Sequence, residues 1–438
     1  MCVLLLLLLS LLFSSSNLFL LSWANSITLS LSPPPSTSGS PWDNLKYHAA
    51  ASLARAHHLK HPKAQSIVQL YPRSGGYFVH LSFGTPPQTL RFMMDTGSSL
   101  VWFPCTTKYT CTHCNISTTF IPQHSSSYKN VTCYSPQCRL LFGPDLKCRN
   151  PTLHCGYIIQ YVLGNTTGLL VSESLTIPEL TVPNFIAGCS VSSDNSPEGI
   201  VGFGRARESL PAQLGLKAFS YCMVSHDFDD NTTASSDLVL TTTTPGGGCS
   251  KRPSAKIQYT LFVSNPAAFP DFYYVWLQNI SMGGVDVKVP AKYLMIDAKG
   301  NGGTIVDSGT TVTQMEKPVF DLVFKELDMQ VGKKYSRARK IEQEIGLEPC
   351  YNVPVDKKKI KLPQLTFYFQ GGVEMVLPLA NYFLYANDAV VCMTIQNSGK
   401  VGVGPAIILG NYQQQDYYME YDLENNRLGI LQHKCKST

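Results

Sequence analysis

Charge is scarce in this chain. Asp, Glu, Lys and Arg together make up 15% of 438 residues, against about 25% in an ordinary soluble domain. That scarcity argues against a fold built on exposed, salt-bridged helices, while abundant Ser, Thr, Gly and aromatic residues favour broad sheets. Long apolar runs are missing after the first two dozen residues, and His433 to Thr438 carries no hydrophobic tail for a lipid-anchor signal. No Gly-x-Ser-x-Gly motif is present, which removes the usual signature of a serine hydrolase. Basic residues are not gathered on one face either. Five of them (Lys46, Arg55, Lys60, Lys63, Arg73) against one acid, Asp43, give the stretch up to Ser74 a charge of +4, so only +1 of the total +5 is left for the remainder. A near-neutral body of this kind offers nucleic acid no electrostatic footprint.

What is present begins with a leader. Residues 1–24 open with a Leu-rich run and end in Ser22-Trp23-Ala24, which reads as a signal peptide even though Met1-Cys2 supplies no basic residue; an uncleaved anchor is the alternative. A secreted, extracellular protein of the apoplast or cell wall, or else a vacuolar one, is expected. Fourteen cysteines suit an oxidising route, with Cys105, Cys111, Cys114, Cys133, Cys138, Cys148 and Cys155 closely clustered. Cys111-Thr112-His113-Cys114 has metal-like spacing but no matching second pair, so disulfides are favoured over zinc. Thirteen cysteines remain without Cys2, and Cys249 is the candidate for the unpaired one. Sequons at Asn115, Asn130, Asn165, Asn231 and Asn279 fit the same route.

A Pro/Ser/Thr/Gly spacer at Ser32 to Ser40 is followed by a helical pattern over Trp42 to Lys60, so 25–74 is expected to be a propeptide; the alternative is an extension without inhibitory role. Regular strand signals begin at about Gly75. From there the chain repeats itself. Tyr77 to Leu81 leads to Phe92-Met93-Met94-Asp95-Thr96-Gly97, and Tyr273 to Leu277 leads to Thr304-Ile305-Val306-Asp307-Ser308-Gly309. Each half later carries an apolar-apolar-Gly element, Gly199 to Gly204 and Ile407 to Asn411. The repeat predicts a mainly β fold of two related lobes, 75–245 and 246–438, with a cleft between them. Asp227 to Ser254 reads as polar surface loop at their junction, and Lys317 to Gln330 is the clearest helix.

One Asp-Thr/Ser-Gly tripeptide is an ordinary turn, with Asp capping it and Gly supplying the backbone freedom. Two copies at equivalent places of a repeat, each after an apolar strand, lie on a pseudo-twofold axis. Asp95 and Asp307 would then lie within about 3 Å and share one proton, because both cannot ionise cheaply. The charged member can activate a water while the protonated one donates to a carbonyl oxygen, so neither a cofactor nor a metal is needed. Gly97 and Gly309 let the loops approach. The hydroxyls of Thr96 and Ser308 are placed to bond across to the opposite lobe, and those of Ser98 and Thr310 to donate to the carboxylates.

With these motifs, and with Gly84-Thr85-Pro86-Pro87-Gln88, Trp102, Phe219-Ser220-Tyr221-Cys222, Ile408 to Tyr412 and Arg427-Leu428-Gly429, the chain from Gly75 to Cys435 resembles the pepsin-type aspartic proteases, specifically their plant nepenthesin-like branch. The resemblance implies a bilobal β fold, a secreted, monomeric endopeptidase made as a zymogen and working at acidic pH on an extended polypeptide, and the pairs Cys222–Cys435 and Cys350–Cys392. It makes Asp95 and Asp307 catalytic, and Gly97, Ser98, Gly309, Thr310 and the flap residue Tyr161 substrate-binding. Tyr161 is followed here by Val162-Leu163-Gly164-Asn165 where the family has a Gly-rich tip, which stiffens the flap and sets a sequon beside it. The positive charge before Gly75 suggests that a Lys or Arg there pairs with the cleft carboxylates. The competing reading is a catalytically silent relative that inhibits a glycosidase such as a xylanase; such relatives lose part of the machinery that is complete in this chain.

Overall fold

The computed structural model describes residues 26–32, 41–60, 75–112, 118–142, 150, 153–161, 164–194, 198–225, 235–242, 253–399 and 402–435. Two β lobes with closely matched strand order make up the body. In the first, the strands Phe78–Phe83, Gln88–Asp95, Gly199–Gly202, Trp102–Pro104 and Leu180–Asp194 are neighbours in that order. In the second, the order is Tyr274–Val275, Thr304–Val306, Ile407–Leu409, Thr313–Met315 and Ile395–Asn397. Both series run antiparallel, parallel, antiparallel, parallel from pair to pair. The internal repeat is thus a repeat of sheet topology. The apolar-apolar-Gly element of each half is the parallel neighbour of the strand that ends at that half's aspartate.

These central strands are apolar along their length because they are buried on both faces, as parallel pairing requires. Phe92, Met94, Val201, Val306, Ile407 and Leu409 all lie in one continuous core that also takes in Phe83, Phe103 and Phe185. A six-stranded sheet joins the halves, in the order Ser26–Leu31, Ser236–Thr241, Ala218–Cys222, Tyr417–Asp422, Arg427–Gln432, Gln258–Leu261. Phe219 stacks on Tyr421 at 4.4 Å between ring centroids inside it, an aromatic contact across the lobe boundary.

Two sequence readings need correction here. Strands do not begin at Gly75: Ser26–Leu31 is already a strand, paired antiparallel with Ser236–Thr241 from Ser26↔Thr241 to Leu31↔Ser236. Its period-2 alternation buries Ile27, Leu29 and Leu31, a pattern obscured in the sequence by the apolar leader before it. Its partner falls inside the stretch Asp227 to Ser254 read as surface loop, yet Leu238, Val239 and Leu240 are buried. Three apolar residues among many polar ones sufficed for a strand because neighbours on both sides supply the ladder. The two helices come where the pattern predicts, at Pro41–Lys60 and Lys317–Val331.

Disulfides join Cys105–Cys189, Cys138–Cys155, Cys222–Cys435 and Cys350–Cys392. Cys111 and Cys133 are disulfide-bonded as well, so the metal-like spacing at Cys111 serves a covalent link. Cys222–Cys435 spans 213 residues and ties the six-stranded sheet to the chain end. Cys249 and the spacer 33–40 lie outside the described residues. Among the described residues no helix is long and apolar enough to cross a membrane.

Candidate active site

Asp95 is the last residue of the strand Gln88–Asp95, and Asp307 follows the strand Thr304–Val306. Each is anchored to the parallel neighbour of its strand: Phe203 N donates to Asp95 O at 2.7 Å, and Asp307 N donates to Leu409 O at 3.0 Å. Immediately after them the two turns interlock. Thr96 N donates to Ser308 Oγ at 3.0 Å and Ser308 N to Thr96 Oγ1 at 2.9 Å. The hydroxyls themselves donate across, Thr96 Oγ1 to Val306 O and Ser308 Oγ to Met94 O. The hydroxyl–backbone lattice expected of Thr96 and Ser308 is therefore formed from both sides, in buried surroundings where such bonds hold geometry firmly.

Both carboxylates are fully buried and held in matching fashion. Gly97 N donates to Asp95 Oδ1 and Gly309 N to Asp307 Oδ1, each at 2.9 Å. Ser98 Oγ donates to Asp95 Oδ2 and Thr310 Oγ1 to Asp307 Oδ2, each at 2.5 Å. The glycines are required by contact with the opposite turn. A Cβ at Gly309 would stand 2.4 Å from Asp95 Oδ1, and one at Gly97 would stand 2.7 Å from Asp307 Oδ1.

A third charged group completes the site. Arg55, on the Pro41–Lys60 helix, lies between the aspartates: Nη2 donates to Asp95 Oδ1 at 2.5 Å and to Asp307 Oδ1 at 3.1 Å, while Nε donates to Asp307 Oδ2 at 2.7 Å. Burial acts first on all three groups, opposing charge. It lifts the Asp95 carboxyl above the usual range, with the Asp307 charge adding to the rise and Arg55 only partly opposing it. For Asp307 burial is outweighed by its two bonds from Arg55 and by Thr310, and its carboxyl sits below the usual range. The attraction of Asp307 and Asp95 in turn outweighs burial at Arg55 and raises its already high pKa. An arginine is suited to this place because its planar fork reaches two carboxylates at once.

The helix that carries Arg55 lies along the second lobe and touches the strand Gly156–Tyr161 of the first. Its Leu45 and Ala49 pack on Leu347, Leu384 and Tyr412, and its Ala56 and Leu59 on Phe269, Phe272 and Ile408. Ser52 Oγ accepts from Val312 N at 2.9 Å. Alanines make up much of the buried stripe, which lets the helix backbone come close to the cleft wall. The sequence suggested that some Lys or Arg before Gly75 would meet the carboxylates; the Ala-rich surroundings of Arg55 were the available signal for which one.

The strand Gly156–Tyr161 forms a hairpin with Gly164–Ile177, paired up to Tyr161↔Gly164, so the connection is of two residues. Tyr161 holds the last paired position before the tip. The contact expected of its side chain, and Val162 and Leu163, lie outside the described residues. Beneath the hairpin, Trp102 is fully buried against Tyr157 and Ile159 and acts as packing.

Residues 77–240 match the family described as xylanase inhibitor N-terminal, and residues 272–432 the family described as xylanase inhibitor C-terminal. The chain is 34% identical to a probable aspartyl protease of Arabidopsis thaliana, over 84% of each chain. It is 32% identical to the aspartic proteinase nepenthesin-2 of Nepenthes gracilis, over 84% of this chain and 79% of that one. Among solved structures, basic 7S globulin from soybean superposes with a TM-score of 0.65 at 17% identity, covering 94% of this chain and 98% of the globulin. That likeness speaks for the fold alone. Doubled strand order, paired aspartate turns and relatives of this closeness together place the chain in the pepsin-type aspartic protease family, in its nepenthesin-like branch.

Proposed function

We propose that this chain is an aspartic endopeptidase, made as a precursor in which the Pro41–Lys60 helix fills the cleft and Arg55 neutralises the catalytic pair. The observation that carries the reading is the matched holding of Asp95 and Asp307, each by one backbone N–H and one hydroxyl, across an interlocked pair of turns. Once Arg55 withdraws, two buried carboxylates face each other with no cation between them, and one proton is shared. The ionised member takes a proton from a water as that water attacks the scissile carbonyl carbon. The protonated member gives its proton to the carbonyl oxygen, and the tetrahedral diol then collapses with a proton passed to the leaving amine. Gly97, Ser98, Gly309, Thr310 and the flap residue Tyr161 would contact substrate around this centre. Shared protonation suits an acidic working pH and a secreted or vacuolar setting.

Acid-treated full-length protein is expected to cleave extended peptides at about pH 3 to 5, to be inhibited by a statine-type peptide, and to lose activity in Asp95→Ala and in Asp307→Ala. Full activity in either variant would refute the proposal. The descriptions of both matched families favour a second reading, a catalytically silent inhibitor of a glycosidase such as a xylanase. It predicts no peptide cleavage at any pH together with dose-dependent inhibition of a xylanase.

A further inference from the structure

Five residues beyond Arg55 the same helix inserts a second cation. Lys60 is buried, its side chain wholly removed from solvent, and its Nζ lies 3.6 Å from Glu316 Oε1 and 3.1 Å from Ser398 Oγ. Glu316 is nearly as enclosed, at 6% side-chain exposure. Nothing about it is loose: its N–H donates to Ala406 O, its carbonyl accepts from Val319 and Phe320 at the start of the Lys317–Val331 helix, and Gly402 N donates to Oε1. Gly404 forms part of the wall, where a Cβ would stand 3.2 Å from Lys60 Cα and 3.1 Å from the Phe269 ring. This is a formed, polar recess on the second lobe, occupied by a lysine that belongs to the segment proposed to leave.

We propose that Glu316 and Ser398 form a substrate subsite selective for a lysine side chain two to three residues from the scissile bond. The inference rests on the endopeptidase reading above. The helix covers the distance from Arg55 to Lys60 with a rise of roughly 7.5 Å, which an extended peptide covers in two to three residues at about 3.3 Å each. With Lys60 withdrawn, the Glu316 carboxylate keeps the Gly402 N–H as donor and loses its cation. An ammonium group restores the lost partner, whereas an apolar side chain leaves a desolvated carboxylate unpaired. If Glu316 were only a latch for the helix, its replacement would change conversion of the precursor and leave peptide selectivity untouched.

The test uses acid-converted full-length protein at about pH 5. Lysine and norleucine are exchanged at each position from the third residue before the scissile bond to the third after it. The expected result is a kcat/KM about tenfold higher for lysine at one position, expressed in KM, with the ratio falling near parity in Glu316→Gln and part of the way in Ser398→Ala. Parity at every position, or a lysine preference that survives Glu316→Gln, overturns the subsite while leaving the endopeptidase reading intact. If the converted protein cleaves nothing, that reading fails, and the subsite is judged by binding of lysine- and norleucine-bearing statine peptides. Roughly tenfold tighter binding of the lysine form, lost in Glu316→Gln, sustains it; equal affinity or no binding overturns it.

Discussion

Arg55 meets Asp307 through two nitrogens, Nε to Oδ2 at 2.7 Å and Nη2 to Oδ1 at 3.1 Å, a bidentate pair across 252 residues of chain with all parties buried. The same Nη2 reaches Asp95. Replacing Arg55 by Met therefore leaves two adjacent buried carboxylates without their cation, and breaking such a pair typically costs about 3–5 kcal/mol. That cost falls on the docked state of the helix alone, so more than a hundredfold of its preference for the cleft is expected to vanish. In a progress curve at about pH 5.5, full-length Arg55→Met should cleave peptide without delay, whereas the unaltered chain should show a lag. Identical lags would separate Arg55 from inhibition.

Against Asp95, whose carboxyl burial raises, the acid-labile part of docking comes from Asp307. Its carboxyl is held below the ordinary value by Arg55 and Thr310, acting against burial. The docked state thus gains stability that is fully present above the ordinary aspartate range and is lost as pH falls through the lowered value. Hydrogen-exchange protection of the 41–60 amides, taken relative to the intrinsic exchange rate at each pH, should be high near neutrality and fall steeply below about pH 4. Protection that stays constant down to about pH 2 would contradict this coupling.

Much of this site was legible because it is local and duplicated. Each aspartate tripeptide follows its own apolar strand, and the second apolar-apolar-Gly element of each half marks the parallel neighbour that positions it. The strand Ser26–Leu31 was not legible, since its alternation abuts an apolar leader and its partner Ser236–Thr241 sits in a polar stretch. Lys60 and Glu316 were invisible for another reason: 256 positions separate them, and neither belongs to a motif. Long-range pairing of single charges leaves no local pattern, whereas a repeated turn does.

Thr310 offers a test of the hydroxyl donors. Its Oγ1 gives Asp307 Oδ2 a 2.5 Å bond and so favours the ionised carboxyl. Thr310→Val keeps the shape and removes the donor. The acidic limb of the pH profile of kcat/KM should move to higher pH and kcat should fall about tenfold, the worth of one bond to a charged group. A profile superimposable on that of the unaltered chain would show that the hydroxyl only packs.

The lobe junction behind the Asp95 turn holds further buried acids. Ser99 Oγ donates to Asp271 Oδ1 at 2.6 Å, and Glu208 lies near enough for the Asp271 charge to act on it. Burial, joined by that repulsion, pushes the Glu208 carboxyl up to about 7. A carboxyl raised on folding binds more protons in the native state than in the unfolded chain between its ordinary value and about 7, so its stabilising contribution is complete at acid pH and declines as pH rises through that interval. Glu208→Gln removes the ionisation while keeping the volume. Its melting temperature should exceed that of the unaltered protein at about pH 7.5 and match it at about pH 4, in calorimetric scans at constant ionic strength. A variant less stable at both values would mean that the glutamate is held by partners stronger than the burial acting against it.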